Sequence, residues 1–522
     1  MNRGAVLAAL ILAGVTVGGA QSAPLRSAGI RDPDTKAWWQ IAETLTSDAM
    51  EGRDTGSPGH HRAALIVAAR FKAAGLKPAG DAKTTGGGYI QSFPVHEARV
   101  EKAGTTFQVS RDGAAPLKLA FLHQISVRAT DDLPATLDGA MTFRGYCGPK
   151  DLADATGKIV VCFNTRRTGL PSAAQRIQGA QAAGAMGLLQ VDDPYFTLEP
   201  SRWPDAYARS VSIAGSPAPA APAMPVMRLG VDAFKAMLAG SAHDADAILK
   251  AGGAKQTLAA FEIPGHLQAR FHVIKRDYTA ENVVAVLPGR DPKLKSQYLA
   301  LSAHLDGYGF GEPVQGDNLY NGTLDDAAYV GTLIRFADKH KGRPLRRSVL
   351  VAAFTGEEKG LLGAHWFVDH PTVPKAAIVA DLNLDQLRPL FPLEILTELA
   401  VDDTSLGTTA RAVAAAMDIR IQADPEPERS LLTRADHWPF MQAGIPGTGF
   451  IFGYVPGTEA ERRYREWYQV RYHRPQDDLT QPMDFIAAGK FNRFFYKLAE
   501  TVADADAAPT WTPGSKLAPT AP

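Results

Sequence analysis

Histidines and carboxylates recur at the ends of apolar segments in the second half of this chain. The segment LALSAHLDG contains His304 and Asp306, and the segment YNGTLDDAA contains Asp325 and Asp326. Three later segments add Glu357 and Glu358 in VAAFTGEE, Asp385 in LNLDQ, and Tyr472 with His473 in VRYHRPQDD. Side chains of these types bind divalent cations and transfer protons, so their spacing raises the question of whether they meet.

Each of these groups has an ordinary structural interpretation when it is taken alone. Two aspartates before a helix usually cap its N-terminus, and two adjacent glutamates are usually solvated. Glu357 and Glu358 point in different directions, however, so one partner does not easily satisfy both charges. Four carboxylates in one pocket would raise each other's pKa values by repulsion. A divalent metal ion relieves that repulsion, so the repeated pattern favours a metal site.

The elements that carry these residues predict how they would be brought together. From about residue 265 to 500, short apolar runs alternate with segments of helical spacing. This alternation predicts an α/β fold, a doubly wound and mostly parallel sheet with helices on both faces. Ligands bind beyond the carboxyl ends of the strands in such sheets. The acids and histidines at successive strand ends are therefore expected at one edge.

The length of 522 residues indicates more than one domain. We predict a main domain formed by residues 24–115 and 263–505, interrupted by a small α/β unit over residues 116–262. That insert contains the strand-like segments GKIVVCFN and GLLQVDD around an Ala/Gly-rich helix. Residues 506–522 have too little apolar content to fold and are predicted to form a disordered tail.

The N-terminus predicts secretion. Residues 1–22 combine a basic start, an apolar run and small residues, which is typical of a signal peptide. We therefore expect a periplasmic or extracellular protein without stable membrane insertion after cleavage. Lys+Arg and Asp+Glu are equal at 55 each, so the charge gives no indication of a nucleic-acid partner. The sequence does not specify the oligomeric state.

The chain has two cysteines, Cys147 and Cys162. They could form a disulfide, which the expected compartment allows, or remain two buried thiols. Sequence alone does not give the distance between them, so both alternatives stay open.

The ordered set of segments resembles the zinc-dependent exopeptidase family, which includes secreted bacterial aminopeptidases, glutamate carboxypeptidase and the transferrin receptor. The resemblance is carried by SDAMEGRDTGSPGHHRAA, HLD, YNGTLDDAA, FTGEEKGLLGAHWF, LNLD, RADHWPFMQAGIP and RYHRPQDD. The insert is similar to a protease-associated domain. No single motif decides this assignment, but their order along the chain is specific.

The resemblance implies two zinc ions per chain and assigns a role to each residue. His304 and Asp385 would hold one ion, Glu358 and His473 the other, and Asp325 would bridge both. Glu357 would be the general base acting on a metal-bridging hydroxide, Asp306 would orient His304, and Tyr472 would stabilise the developing oxyanion. Asp326, where relatives usually have Asn, is interpreted as a helix cap, and His437 as a structural or pocket-lining histidine.

The implied function is hydrolysis of peptides, most simply by an aminopeptidase. A carboxypeptidase of the same family is an alternative, for which Arg434 and Arg474 are candidate carboxylate-binding residues. A binding protein that has lost the chemistry is a third hypothesis, but no expected ligand and no base is missing from this sequence.

Overall fold

The computed structural model describes residues 26–519 except 82–86, 112, 114, 197–207, 217–223 and 386. The predicted signal peptide, residues 1–22, lies outside the described residues. Within the described ranges, no helix is both long enough and apolar enough to cross a membrane.

The described residues form strands and helices in a mixed order along the chain. The strands are β1 (Lys77–Pro78), β2 (Ile90–Val100), β3 (Thr106–Ser110), β4 (Leu117–Leu119), β5 (Ile125–Val127), β6 (Thr136–Phe143), β7 (Ile159–Asn164), β8 (Gly187–Asp192), β9 (Arg209–Ile213), β10 (Val226–Leu229), β11 (Phe261–Arg270), β12 (Val273–Leu287), β13 (Tyr298–His304), β14 (Gly309–Val314), β15 (Asp317–Tyr320), β16 (Ser348–Phe354), β17 (Ile378–Leu384), β18 (Ile395–Glu398), β19 (Arg420–Gln422) and β20 (Gly447–Phe452). The helices are α1 (Pro33–Leu45), α2 (Pro58–Ala73), α3 (Ala173–Ala182), α4 (Val231–Leu238), α5 (Ala245–Gly253), α6 (Ala328–Lys339), α7 (Leu362–Asp369), α8 (Ser405–Ala415), α9 (His437–Gln442), α10 (Glu459–Val470) and α11 (Phe485–Asp504).

A large sheet of ten strands forms the centre of the main part of the chain. Its strand order is β19-β18-β20-β17-β13-β16-β12-β2-β9, and the short β1 pairs with β12. The central strands β20, β17, β13 and β16 run parallel. Strands β12, β2 and β9 on one side run antiparallel to their neighbours, as does β18 against β20 on the other side. The predicted α/β fold is confirmed, with the parallel strands at its centre.

Helices cover both faces of the large sheet because its central strands are apolar on both faces. In β16, Val349 and Val351 belong to a core with α1, α2, α6 and α11, whereas Leu350 and Ala352 belong to a core with α7 and α9. All residues of β16 are buried. A strand covered on both faces reads as a continuous apolar run, which explains why SVLVAAF shows no alternation.

A second sheet of eight strands is built mainly from the predicted insert. Its order is β4-β3-β11-β6-β7-β8-β10-β5, and β6, β7, β8 and β10 run parallel. Helices α4 and α5 contribute to the core on one face, and α3 contributes to the smaller core on the other. The predicted strands around GKIVVCFN and GLLQVDD are β7 and β8, with α3 between them.

Strand pairing divides the chain differently from the predicted limits of 116 and 262. Strands β3 and β11 pair with each other and extend the second sheet on both sides of those limits. Strand β9, which lies inside the predicted insert, pairs with β2 of the large sheet. These pairings join residues that are far apart in the chain, so local composition does not reveal them.

The two cysteines are joined. The structure links Cys147 and Cys162 by a disulfide with a Cα–Cα distance of 5.6 Å, and both residues are buried beside α3. The bridge connects the turn after β6 to β7, so it closes a loop within the second sheet.

The prediction of a disordered tail is wrong for residues 506–519. Trp511 donates its Nε1–H to the carbonyl of Gly444 at 2.8 Å, and Thr512 donates its backbone N–H to the carbonyl of Asp403. Ser515 also donates its hydroxyl to Asp403. Hydrogen bonds and one aromatic side chain hold this segment, although its average apolar content is low. Residues 520–522 lie outside the described residues.

A short hairpin made of β14 and β15 lies between the two sheets. Glu312 in β14 lies 2.6 Å from Lys102 Nζ and 3.0 Å from His123 Nε2. His123 lies between β4 and β5 of the second sheet. Tyr308, just before the hairpin, contacts the candidate site described below. The hairpin therefore links the second sheet to that site.

Candidate metal centre

The five predicted metal ligands lie at one edge of the large sheet. His304 is the last residue of β13, Glu358 follows β16, and Asp385 follows β17. Asp325 lies in an irregular turn before α6, and His473 follows α10. Because β16, β13 and β17 are adjacent and parallel, their carboxyl ends meet at this edge.

The five side chains form two clusters that share Asp325. Ligand atoms of His304, Asp325 and Asp385 lie within 4.8 Å of one another, as do those of Asp325, Glu358 and His473. Asp325 Oδ1 is 3.5 Å from His304 Nε2, and Asp325 Oδ2 is 3.2 Å from His473 Nε2. Glu358 Oε1 is 3.3 Å from His473 Nε2. The grouping is the one that the resemblance implies.

The donor atoms of these clusters fit zinc. Imidazole nitrogens and carboxylate oxygens are usual zinc ligands. His304 is buried, and its Nε2 has no hydrogen-bond partner among the described residues, which is costly for a polar atom. His304 Nδ1 lies 3.1 Å from the carbonyl oxygen of Asp306, so this nitrogen carries the proton. The lone pair of Nε2 then points at carboxylates, an arrangement that a cation stabilises.

The surroundings shift the pKa values of Asp325 and Glu357 in opposite directions. Burial alone would raise the pKa of Asp325, but the positive charge of the nearby Arg388 guanidinium holds it well below its usual range. Desolvation raises the pKa of Glu357 well above its usual value, and repulsion from Asp385 and Glu358 adds to this effect. Asp325 is therefore held as an anion, while Glu357 readily accepts a proton.

The Asp306 carboxylate has partners other than the predicted one. His304 Nδ1 is 3.1 Å from the Asp306 carbonyl but 3.7 Å from the Asp306 carboxylate. The carboxylate accepts hydrogen bonds from the backbone N–H of Glu357 and from the Thr55 hydroxyl, each at 3.1 Å. Asp306 thus fixes His304 through its main chain and fixes the backbone of Glu357 through its side chain.

Tyr472 lies beside the clusters with its ring stacked on His473 at a centroid distance of 3.6 Å. Arg434 Nη2 donates a hydrogen bond to the phenolic oxygen of Tyr472 at 3.0 Å. Both residues line a pocket of about 410 Å³ that also contains Glu357 and Trp438. Arg474 does not face this pocket, since it lines a separate small cavity behind Tyr308.

Tyr308 is a site residue that the sequence reasoning missed. Its hydroxyl lies 2.5 Å from Glu358 Oε2 and 3.1 Å from His473 Nδ1. The hydroxyl can donate to the carboxylate while it accepts from His473 Nδ1–H, which leaves His473 Nε2 as the metal-binding nitrogen. The tyrosine in HLDGYGFG is four residues after His304, but nothing local indicates these contacts.

Two further charged residues support Asp325. The Asp477 carboxylate accepts hydrogen bonds from the backbone N–H groups of Leu324 and Asp325, both at 3.0 Å. Arg388 is fully buried, lies 3.4 Å from Asp325 Oδ1, and stacks on Trp467. Asp477 belongs to RYHRPQDD, one of the segments that carry the family resemblance, so its role at the site was open to prediction. Arg388 lies in no such segment, and nothing in the sequence pointed to it.

The helix-cap interpretation of Asp326 is wrong. Helix α6 begins at Ala328, and no side chain accepts a hydrogen bond at its N-terminus. Asp326 is instead fully buried and accepts a hydrogen bond from the backbone N–H of His304 at 3.1 Å. The irregular turn over residues 323–327 directs this carboxylate to β13 instead of to the helix start.

His437 belongs to neither ligand cluster. It is fully buried at the start of α9, and burial lowers its pKa to about 4. Its ring therefore stays neutral at physiological pH, in agreement with the predicted structural role.

Comparison with known proteins adds independent information on the family. Residues 282–499 match the family described as Peptidase family M28. The chain is 26% identical over 214 residues to leupeptin-inactivating enzyme 1 of Streptomyces exfoliatus, covering 40% of this chain and 45% of that protein. It is 25% identical over 220 residues to aminopeptidase YwaD of Bacillus subtilis, covering 41% and 44%. The chain thus spans about half the length of these curated relatives.

The whole fold has a solved counterpart. An aminopeptidase from Aneurinibacillus sp. strain AM-1 superposes with a TM-score of 0.61, covering 91% of this chain and 95% of that chain. The sequence identity is 15%, so this similarity concerns the fold alone. It extends over both sheets, whereas the family match begins in β12 and ends in α11.

Proposed function

We propose that the protein is a di-zinc aminopeptidase, on the premise that residues 282–499, which match Peptidase family M28, form a domain of that zinc exopeptidase family. Its reaction is hydrolysis of the N-terminal bond of peptides. The observation that carries the proposal is the pair of ligand clusters that share Asp325, with the Glu357 carboxylate in the adjoining pocket.

Each residue of the two clusters has a place in this proposal. His304 and Asp385 would hold one zinc ion, Glu358 and His473 would hold the other, and Asp325 would serve both sites. When bound, the two ions polarise the carbonyl of the scissile bond and lower the pKa of a water molecule towards neutrality. The anionic state of Asp325, maintained by Arg388, suits a ligand between two cations.

Glu357 moves the proton in the proposed reaction. A carboxylate oxygen of Glu357 takes the proton from the attacking water and later donates it to the nitrogen of the leaving amine. Its raised pKa brings the carboxyl closer to the working pH, where proton transfer in both directions is efficient. The Asp306 carboxylate holds the backbone of Glu357 and thereby its direction.

Tyr472 is the proposed donor to the oxyanion that develops on the scissile carbonyl. Because Arg434 donates to the phenolic oxygen, it makes the Tyr472 O–H a stronger hydrogen-bond donor. A donor in this position acts on charge that exists only in the transition state.

Secretion belongs to the same proposal. Residues 1–22 have the pattern of a signal peptide, and the disulfide between Cys147 and Cys162 supports an oxidising compartment. Mass spectrometry of the mature N-terminus from a secreting host would test it. A mature protein that retains residues 1–22 contradicts it.

A carboxypeptidase is the second candidate because the pocket contains a positively charged side chain. Arg434 lines the pocket with Glu357 and could bind a terminal carboxylate. Its hydrogen bond to Tyr472 favours the aminopeptidase, since it already engages part of this guanidinium.

The test combines metal analysis with two substrates. We expect the purified protein to contain two zinc ions per chain and to hydrolyse leucine p-nitroanilide, with loss of activity in a chelator. We expect no hydrolysis of an N-acetylated peptide with a free C-terminus. The reverse substrate preference supports the carboxypeptidase. A chelator-insensitive protein, or one that cleaves neither substrate, refutes both proposals.

A further inference from the structure

A second cavity adjoins the candidate metal centre on the side of the second sheet. It has a volume of about 440 Å³, within the size range of small-molecule sites. Glu358 and Tyr308 line one end of it, so it opens directly beside a predicted zinc ligand. Residues of β5, β8 and β10 line the opposite wall. A peptide held at the metal centre would have this space available for one of its ends.

The wall formed by the second sheet presents a row of polar side chains. Arg228 in β10 is the register partner of both Ser126 in β5 and Gln190 in β8, so the three side chains share one face. Ser126 is fully buried and Gln190 is 5% exposed, yet Ser126 Oγ and Gln190 Nε2 have no hydrogen-bond partner among the described residues. Buried polar groups are normally hydrogen-bonded, so these two atoms are available to a polar group that enters the cavity.

Several positively charged side chains line the same cavity. Arg228 and Arg209 line it but are held by acidic partners, Arg228 by Asp192 and Arg209 by Asp54 and Glu97. Arg128, two residues after Ser126, also lines it and makes no ion pair with any described residue.

Lys359, next to Glu358 in the chain, extends the positive surface up to the metal centre. It lies 3.5 Å from Asp54 and over the ring of Tyr308. Asp54 and Glu358 are the acidic residues on the lining, against the cations Arg99, Arg128, Arg209, Arg228 and Lys359. Positively charged side chains outnumber acidic ones on the lining, and Arg128 is the one among them that makes no ion pair with a described residue.

From this arrangement we propose that the cavity is a substrate subsite for a carboxylate. The inference rests on the proposed peptidase function and adds the class of preferred peptide. Arg128 supplies the charge, and Ser126 and Gln190 supply neutral donors to the carboxylate oxygens. The carboxylate belongs either to an acidic side chain or to the free C-terminus of a short peptide, since both offer the same chemistry.

Two matched pairs of substrates distinguish the sources of the carboxylate. One pair is leucyl-alanyl-glutamate amide and leucyl-alanyl-glutamine amide, and the other is leucyl-alanyl-alanine with a free or an amidated C-terminus. We expect the charged member of at least one pair to have a kcat/KM about tenfold higher, through a lower KM. Equal kcat/KM values within both pairs overturn the proposal.

Variants tie the preference to the cavity. Arg128→Gln is expected to reduce the preference to about twofold or less, and Ser126→Ala to weaken it. Both variants should hydrolyse leucine p-nitroanilide, which has no carboxylate, at the wild-type rate. Arg270→Gln, which changes an exposed arginine of the same sheet in β11, is the matched control. An unchanged preference in Arg128→Gln contradicts the assignment.

A binding measurement keeps this inference separate from the proposed function. In the Glu357→Gln variant, calorimetry should give a lower Kd for glycyl-glutamate than for glycyl-glutamine, or for glycyl-glycine than for its amide, whether or not the wild type turns over peptides. Equal Kd values within both pairs refute the subsite. Failure to hydrolyse the p-nitroanilide refutes the aminopeptidase and leaves the subsite untouched.

Discussion

At the scale of single residues, Glu357 and Glu358 are neighbours that contact different groups. Glu358 accepts a hydrogen bond from the Tyr308 hydroxyl and lies 3.3 Å from His473. The backbone N–H of Glu357 donates a hydrogen bond to the Asp306 carboxylate. Adjacent side chains that diverge can serve a metal ion and a proton transfer at the same time. The two glutamates therefore need not share one partner. This explains why two adjacent negative charges occur at this strand end.

Glu357→Gln tests the role of the first glutamate. The amide keeps the size of the side chain but cannot accept the proton, so we expect kcat to fall at least ~10²-fold. Zinc content should stay at the wild-type value because Glu357 lies in neither ligand cluster. Glu262→Gln, on the exposed face of the second sheet, is the control. A variant with near-normal turnover would remove Glu357 from the mechanism.

Tyr308→Phe tests a positioning residue of the second cluster. Loss of the hydroxyl removes hydrogen bonds to Glu358 and His473, so we expect the affinity for one zinc ion to fall about tenfold. Titration with a competing chelator measures this, and excess zinc should restore activity. Tyr146→Phe, whose hydroxyl donates to the backbone carbonyls of Gly252 and Gln256 at the end of α5, is the control. Equal zinc affinity in wild type and variant would argue against the role of Tyr308.

At the scale of elements, the sequence predicted best where a strand delivers a residue. Strands β13, β16 and β17 are continuous apolar runs, so the positions of His304, Glu358 and Asp385 follow from where those runs end. Tyr308 and Arg388 could not be found in this way, since their contacts connect separate elements. The same reason accounts for the tail, where Trp511 docks on a distant carbonyl.

The disulfide gives a prediction for the second sheet. It closes a loop with a sequence separation of 15, for which the chain-entropy model gives about 3 kcal/mol of stabilisation. In the Cys147→Ala/Cys162→Ala double variant we expect faster amide hydrogen exchange in β7 and β8. Exchange in β16 of the large sheet is the internal control. Unchanged exchange in β7 would show that the bridge does not stabilise this sheet.

At the scale of the whole molecule, the two sheets meet around the candidate centre. Glu312 in the β14–β15 hairpin contacts Lys102 and also His123, which lies between β4 and β5 of the second sheet. On the large sheet, Arg209 of β9 forms ion pairs with Asp54 and Glu97. Of these residues, Arg209 and Asp54 line the cavity that adjoins Glu358. The second sheet is therefore positioned to form one wall of the substrate path, a role that the large sheet alone cannot supply.

Removal of the metal should destabilise the molecule unevenly. The proposed ligands come from residues 304–473, so bound ions would cross-link β13, β17, the segment after β16, the turn before α6 and the segment after α10. Each site stabilises the folded state by about 2.7 kcal/mol when zinc is a hundredfold above its Kd. We therefore expect a chelator to lower the Tm by at least about 3 °C, and added zinc to restore it.

Hydrogen exchange locates this effect in the molecule. After chelation we expect faster exchange in residues 323–327 and 471–477, where buried carboxylates repel one another without a cation. The second sheet contributes no residue to either cluster, so β7 and β8 should keep their protection. The same chelator saturated with zinc is the control for effects unrelated to metal removal. An unchanged Tm in protein shown to have lost its zinc would mean that the clusters do not couple metal binding to folding.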